Sequence, residues 1–240
     1  MVALSLLTVV PAPLVEFDAA GRARAVDLFP AVGLALGAML GGLGLLLDRV
    51  LPGGPIAALL LVAAAVLTGG LHFDGLMDTA DGVFGGRAPA RRLEIMRDSR
   101  VGAFGATAGA LALLAQYACL AELSGVGRLA ALVVALTAGR WAMAVVLVLF
   151  PAARPDGLGA SFRIAGFRWQ LVVAGAITLA VAAATGPLGL IGVALATAAA
   201  LVGGRYLARR LGGLTGDTYG ALAVVAETVV LYTAVALRPT

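Results

Sequence analysis

An all-α, polytopic integral membrane bundle is the fold class this sequence predicts, and three observations predict it. Hydrophobic residues make up 61% of the 240 and charged residues 12%, about half of the roughly 25% that a water-soluble globule carries. Mean hydropathy is +1.03, and the apolar mass is Ala, Leu and Val with 33 glycines, aromatics contributing only 6%. That mixture lets helices approach one another closely in lipid. Apolar runs of about the 20 residues a bilayer demands recur along the chain, separated by charged stretches.

Seven spans are predicted, at roughly 28–47, 55–71, 102–121, 128–150, 170–186, 187–204 and 221–237. The fifth and sixth are divided only by Thr185-Gly186-Pro187-Leu188-Gly189. Val2 to Val15 is too short and too interrupted by proline to span, and is expected as an interfacial or re-entrant segment. No positive region precedes it and no cleavage box follows, so it is read as part of the mature chain rather than a signal peptide. The lone Cys119 cannot form an intrachain disulfide and says nothing about compartment. Without an internal repeat or linker, 1–240 is read as a single membrane domain.

All 17 basic residues are arginine, and their placement sets an orientation. The N-terminal segment and the second, fourth and sixth loops hold thirteen of them; the other loops and the C-terminus hold three, counting Arg128 at the edge of the fourth span. The N-terminus and the loops at about 72–101, 151–169 and 205–220 are therefore expected in the cytoplasm. Asp74, Asp78, Asp81, Glu94, Asp98, Asp156 and Asp217 fall on the same face. A net charge of +4 is modest; membrane lipid is an expected partner and nucleic acid is not.

The run Leu71-His72-Phe73-Asp74-Gly75-Leu76-Met77-Asp78-Thr79-Ala80-Asp81-Gly82 is the most informative stretch. Asp74, Asp78 and Asp81 are spaced i, i+4, i+7, which stacks three carboxylates on one face of a helix. On a soluble helix such a face is ordinarily just solvated. At a membrane boundary, in a chain with so few charges, repulsion and desolvation call for a cation among them. Oxygen ligands suit Mg2+ or Mn2+, which complete their shells with water and substrate phosphates. With one histidine and one cysteine, the chain cannot build a structural zinc site.

Gly82-Val83-Phe84-Gly85-Gly86-Arg87 follows as a glycine-rich turn, then Arg91-Arg92-Leu93-Glu94-Ile95-Met96-Arg97-Asp98-Ser99-Arg100. Glycines admit an anion close to backbone amides, and arginine forks match phosphate oxygens. Acids for a metal beside arginines for phosphate suit the handling of a diphosphate, although each arginine also serves as a positive-inside anchor. His72 is read either as a hydrogen-bonded structural residue or as a base or metal neighbour. Arg140 lies within a span, where it pairs with Glu227 of the last span, meets substrate, or snorkels from a shifted span. Pro151-Ala152-Ala153-Arg154-Pro155-Asp156-Gly157-Leu158-Gly159 and Gly212-Gly213-Leu214-Thr215-Gly216-Asp217-Thr218 share the acidic face, so the three patches are expected to converge.

LHFDGLMDTADGVFGG followed by RRLEIMRDSRVGAFG, then PAARPDGLGASF and GGLTGDTYGA, resembles cobalamin synthase, the adenosylcobinamide-GDP ribazoletransferase family. The similarity extends from ALSLLTVVPAP and FPAVGLALG to the last span. The resemblance implies a multi-pass enzyme of the bacterial or archaeal cytoplasmic (inner) membrane that needs a divalent metal, usually Mg2+. It implies joining adenosylcobinamide-GDP to α-ribazole or its 5'-phosphate, releasing GMP and forming adenosylcobalamin or its phosphate. The ribazole 3'-hydroxyl would attack the phosphorus nearer cobinamide. Metal would sit on Asp74, Asp78, Asp81 and Asp98, with His72 or one of the aspartates as base. Arg87, Arg91, Arg92, Arg97, Arg100, Arg140, Arg154, Asp217 and Glu227 would hold substrate and the charge that shifts to the leaving group. The chain departs from the family's pattern at Ala223 and Val224, where an amide and an acid often precede the final Glu, here Glu227.

Two rivals are weaker on the same residues. A CDP-alcohol-type membrane phosphotransferase carries DG-x2-AR, but Asp74-Gly75 is followed by Leu76-Met77-Asp78-Thr79. An ion-coupled transporter places its acids near the midplane of broken helices, often in repeated halves; here they crowd one interface.

Overall fold

The computed structural model describes residues 2–11, 24–154 and 169–238. Its elements are α1 (Val2–Leu7), α2 (Phe29–Leu47), α3 (Gly53–Thr68), α4 (Leu71–Gly85), α5 (Pro89–Ile95), α6 (Ala103–Glu122), α7 (Gly125–Leu149), α8 (Trp169–Ala184), α9 (Pro187–Leu211) and α10 (Gly216–Ala236). Among the described residues the one β pairing is an isolated bridge between Ala152 and Leu214. The all-α membrane reading holds.

Each predicted span is helical, and among the described residues five helices are individually long and apolar enough to cross a membrane, or six if the bent pair α3 and α4 counts as one. The predicted count of about seven is approximate, since α3 and the described part of α8 have 16 residues each. At 1.5 Å per residue each rises about 24 Å, short of the roughly 30 Å hydrocarbon core. The bend between α3 and α4 is 88°. It sits on Gly69 and Gly70, whose φ angles of 62° and 71° lie in the left-handed region that glycine adopts without strain. The predicted loop at 72–101 is therefore largely helix, formed by α4 and α5. The loop predicted at 205–220 shrinks to 212–215, because α9 runs on to Leu211 and α10 starts at Gly216.

The bundle is built around α7, most of which is buried. α2 lies against it along Gly33, Gly37 and Gly41, spaced one turn apart. A Cβ on these would fall 2.2 Å from Leu136 O, 2.6 Å from Val133 Cα and 2.3 Å from Leu129 Cδ1. This is the small-residue seam that membrane helices use to bring backbones together. α10 packs against α7 as well, burying Ala223, Ala226 and Val230 completely. α1 buries Ala3 and Leu7, and just beyond it the Val9 N–H donates to Leu67 O at 2.9 Å, tying the N-terminal segment to the end of α3. The remainder of that predicted interfacial segment lies outside the described residues.

Prolines and capping residues set the helix ends. Pro30, Pro89 and Pro187 open α2, α5 and α9, where a missing N–H is no loss. Thr215 and Thr218 form a capping box at the start of α10. At the end of the bundle away from α4, Asp48 accepts from Arg128 Nη1 at 2.7 Å and from the Gly125 N–H at 2.9 Å. This pair fastens the α2 and α7 ends together.

Candidate active site

α4 begins at the left-handed turn and carries its carboxylates toward the charged end of the bundle. Asp74 is in its first turn and exposed, where the helix N-terminus favours negative charge. Asp78, one turn on, is half-buried and within electrostatic reach of Asp74, Asp217 and Asp81. The last of these is used differently. Asp81 is buried, and its two oxygens accept the N–H groups of Gly102 and Gly105, each at 2.8 Å. It caps the start of α6 from 21 residues away, and a Cβ at Gly102 or Gly105 would fall 2.5 or 2.3 Å from its oxygens.

The fourth carboxylate arrives from the other end of the sequence. Asp217 sits in the first turn of α10 and accepts from Thr215 Oγ1 at 3.2 Å. α10 can reach α4 because Gly75 has no side chain: a Cβ there would lie 2.6 Å from Asp217 O. Asp217 in turn faces the charges of Arg154 and Asp74.

The predicted convergence of the three patches is present in the described residues. The Ala153 N–H donates to Leu214 O and the Leu214 N–H to Pro151 O, both at 2.8 Å, stitching 151–154 to 212–215. Arg154 Nη2 donates to Leu93 O at 2.9 Å, adding α5. Asp156 lies outside the described residues. Burial and the nearby Arg97 push the Arg154 guanidinium below its ordinary range while Asp217 draws it back; it stays a cation.

The remaining arginines divide by use. Arg92 is buried and donates from Nε to Gly86 O and from Nη1 to Arg210 O, each at 2.9 Å. It clamps α5 between the end of α4 and the end of α9. Arg87 and Arg97 are exposed. Arg91 pairs with Glu94 at 2.8 Å, and Arg100 holds Asp98 in a two-pronged contact at 3.0 and 2.7 Å. Those hydrogen bonds hold the Asp98 carboxyl at about 2, well under the ordinary carboxylate range. Asp98 is engaged by Arg100 rather than gathered with Asp74 and Asp78.

His72 and the Arg140–Glu227 pair lie on the other side of α4. His72 is two residues from Asp74, about 200° around the helix, and is 4% exposed. Arg140 of α7 and Glu227 of α10 form an ion pair inside the bundle, the first of the partners expected for Arg140. With His72 and Gln116 they line a cavity of about 50 Å3. Ala223 and Val224, the two departures from the family's pattern, face the apolar core at 0% and 1% exposure.

Several residues of this end were not singled out from sequence. Gly75, Gly102 and Gly105 act through contacts made across the fold; Asp-Gly at 74–75 and the Gly-x-x-Gly spacing at 102–105 were the available signals. Phe84 and Phe104, both exposed, meet in a tilted contact with ring centres 5.8 Å apart; no periodicity announces that pair.

Among the described residues no three His, Cys, Asp or Glu side chains come together as a chelate. What α4 and α10 offer is a small set of carboxylate oxygens from two helices, rimmed by arginine. Fold and site together define a polytopic membrane enzyme whose charged site lies at one end of its bundle. The chain matches the cobalamin-5-phosphate synthase family over residues 1–235 and belongs to it. It is similar to proteins named adenosylcobinamide-GDP ribazoletransferase. The one from Desulforamulus reducens is 43% identical over 96% of this chain and 93% of its own length. That from Roseiflexus sp. is 43% identical over 96% and 87%, and that from Mesorhizobium japonicum 41% over 96% and 90%. No solved structure matches the chain.

Proposed function

We propose that the protein transfers adenosylcobinamide phosphate from adenosylcobinamide-GDP to α-ribazole or α-ribazole 5'-phosphate, releasing GMP and forming adenosylcobalamin or its 5'-phosphate. The observation that carries this reading is the meeting of Asp74 and Asp78 on α4 with Asp217 on α10 beneath Arg154, in a member of a family whose relatives bear that name. A ribazole hydroxyl forms a new bond to the phosphorus nearer cobinamide, the bond from that phosphorus to the GMP oxygen breaks, and GMP departs with the electron pair. His72 faces into the bundle, so the hydroxyl proton goes to a carboxylate of the cluster, and Asp217 is the one placed beside the Asp74–Asp78 pair. Arg154 and the exposed arginines of 87–100 hold the charge that moves onto the leaving phosphate.

A divalent metal fits the donors present. Mg2+ is bound through one or two carboxylates, with water and substrate phosphates completing the shell, rather than by an all-protein cage; Asp74 and Asp78 supply such a pair, and their like charges need a counter-cation. When bound, Mg2+ or Mn2+ neutralises diphosphate oxygens. The arginine asymmetry supports a cytoplasmic orientation for the charged end, and the family resemblance supports the inner membrane as its place.

The test is turnover by purified protein in liposomes supplied with adenosylcobinamide-GDP, α-ribazole and Mg2+, following GMP and the corrin product, with an EDTA control. Metal-dependent product is expected. Silence from folded protein with both α-ribazole and its phosphate would sink the reading. For orientation, a cysteine replacing Arg87 is expected to react with an impermeant maleimide in inverted vesicles and to be protected in intact cells.

A further inference from the structure

Between the end of α4, α5 and the start of α6 lies a cavity of about 480 Å3 to which the reaction as described assigns no part of the substrate beyond the leaving phosphate. Its volume falls within the range of small-molecule sites, roughly 300–1,000 Å3. Arg91, Glu94, Asp98, Arg100 and Phe104 line it, with Asp81 on the wall nearest the carboxylate pair. Asp81 is three residues beyond Asp78, a rise of about 4.5 Å along α4. A molecule seated in this cavity and extending along α4 therefore places its end at Asp78.

The lining has the parts that a purine nucleotide needs. Phe104 is 52% exposed, lines the cavity and touches Phe84 in a tilted contact, offering ring surface for base stacking. Arg91 and Arg100 are held only by exposed ion pairs, with side chains 61% and 87% exposed. Such pairs are worth about 0–1 kcal/mol, so these cations can exchange a carboxylate for a phosphate at little loss. The exchange releases the guanidinium from Asp98, which keeps the Arg100 backbone N–H on Oδ1 at 3.1 Å and, as an acceptor-only group with about two lone pairs on each oxygen, can still accept on both. Guanine presents two adjacent donors, N1–H and the N2 amine, to such a carboxylate; adenine presents one donor beside an acceptor, which the carboxylate repels. Asp81 has both oxygens engaged by Gly102 and Gly105 and is not available for this role.

We propose that this cavity receives the guanosine monophosphate end of the substrate, with Asp98 reading the guanine edge, Phe104 stacking the base, and Arg91 and Arg100 on its phosphate. The proposal rests on the ribazoletransferase reading, and it assigns nucleotide choice to the segment 84–104 rather than to the metal-binding face.

Equilibrium binding of GMP and AMP to the detergent-purified full chain in Mg2+ buffer tests it without requiring turnover. GMP is expected to bind at least about tenfold more tightly than AMP, because a site built for a hydrogen-bond donor rejects a ligand lacking it. Asp98→Asn is expected to remove most of that preference, weakening GMP while AMP binds no less tightly, because an amide no longer repels adenine's acceptor. Phe104→Ala is expected to weaken both nucleotides several-fold, since stacking tolerates any base. Asp98 is exposed, so its variant keeps the fold. Equal binding of GMP and AMP to the wild type, or unaltered GMP preference in Asp98→Asn, overturns the guanine assignment. Unaltered binding of both nucleotides in Phe104→Ala overturns the stacking role and leaves the aromatic pair to the membrane boundary. The liposome turnover assay judges the reaction itself, so the two readings fail separately.

Discussion

The two ends of the bundle use the same residue types to opposite effect. At the end away from α4, Asp48 is filled by Arg128 and the Gly125 N–H, and Arg128 also donates to Leu120 O at 3.3 Å. Beside it Arg238 grips Glu122 at 2.6 Å, donating as well to its carbonyl at 3.0 Å. These charges meet one another and close the helix ends. At the α4 end, Asp74, Asp78 and Asp217 face like charge, and Arg91 and Arg100 are held only by contacts that solvent can replace. Charge count does not separate structure from function in this protein; what separates them is whether the partners are supplied by the chain or left to a ligand.

The largest effect is expected where the ligand is the partner. Asp78→Asn should lower turnover by about 10²–10³-fold, the scale of losing one charge-stabilising group, while thermal stability holds or rises because a like charge has gone. GMP release and thermal unfolding in detergent check both. At the other end Asp48→Asn should do the reverse, stranding the 1%-exposed Arg128 and destabilising by about 3 kcal/mol, with turnover per folded molecule unchanged. A drop in both quantities at either position would erase the contrast between the ends.

Arg92 sharpens the comparison, since it is a structural clamp placed within the working end. Arg92→Lys removes the fork that spans Gly86 O and Arg210 O, and is expected to destabilise by about 1–3 kcal/mol and to slow turnover roughly tenfold through misplacement of the 87–100 segment. A lysine that restores full rate would show that α5 is held by other means. The smallest effect is expected for Glu122→Gln: the Arg238 pair is exposed at both ends, and its loss should change stability by no more than about 0.5 kcal/mol, measured as a shift in unfolding midpoint.

The hydrophobic runs carry most of this fold in the sequence, because lipid leaves the backbone no alternative to helix. They do not show where a run turns. The 88° bend needed the geometry of Gly69 and Gly70, and the lengths of α3 and the described part of α8 fell below a full span. Helical spacing put Asp74 and Asp78 on one face, and the Arg140–Glu227 pairing was legible because two charges inside lipid need each other. The capture of Asp81 by Gly102 and Gly105, the arrival of Asp217 against Gly75, and the Arg92 clamp were not legible. Each depends on which helix end comes to lie beside which, and no local periodicity encodes that.

The ion pair between Arg140 and Glu227 also constrains the order in which the protein can be made. α7 carries a guanidinium whose counter-charge lies on α10, 87 residues later in the chain. Until α10 arrives, the centre of the bundle holds a charge that lipid does not neutralise, so α7 is obliged to remain near the insertion machinery or be shielded by it. A chain truncated before Gly216 lacks both Glu227 and Asp217, so the counter-charge inside the bundle and the carboxylate that α10 brings to the site are lost together.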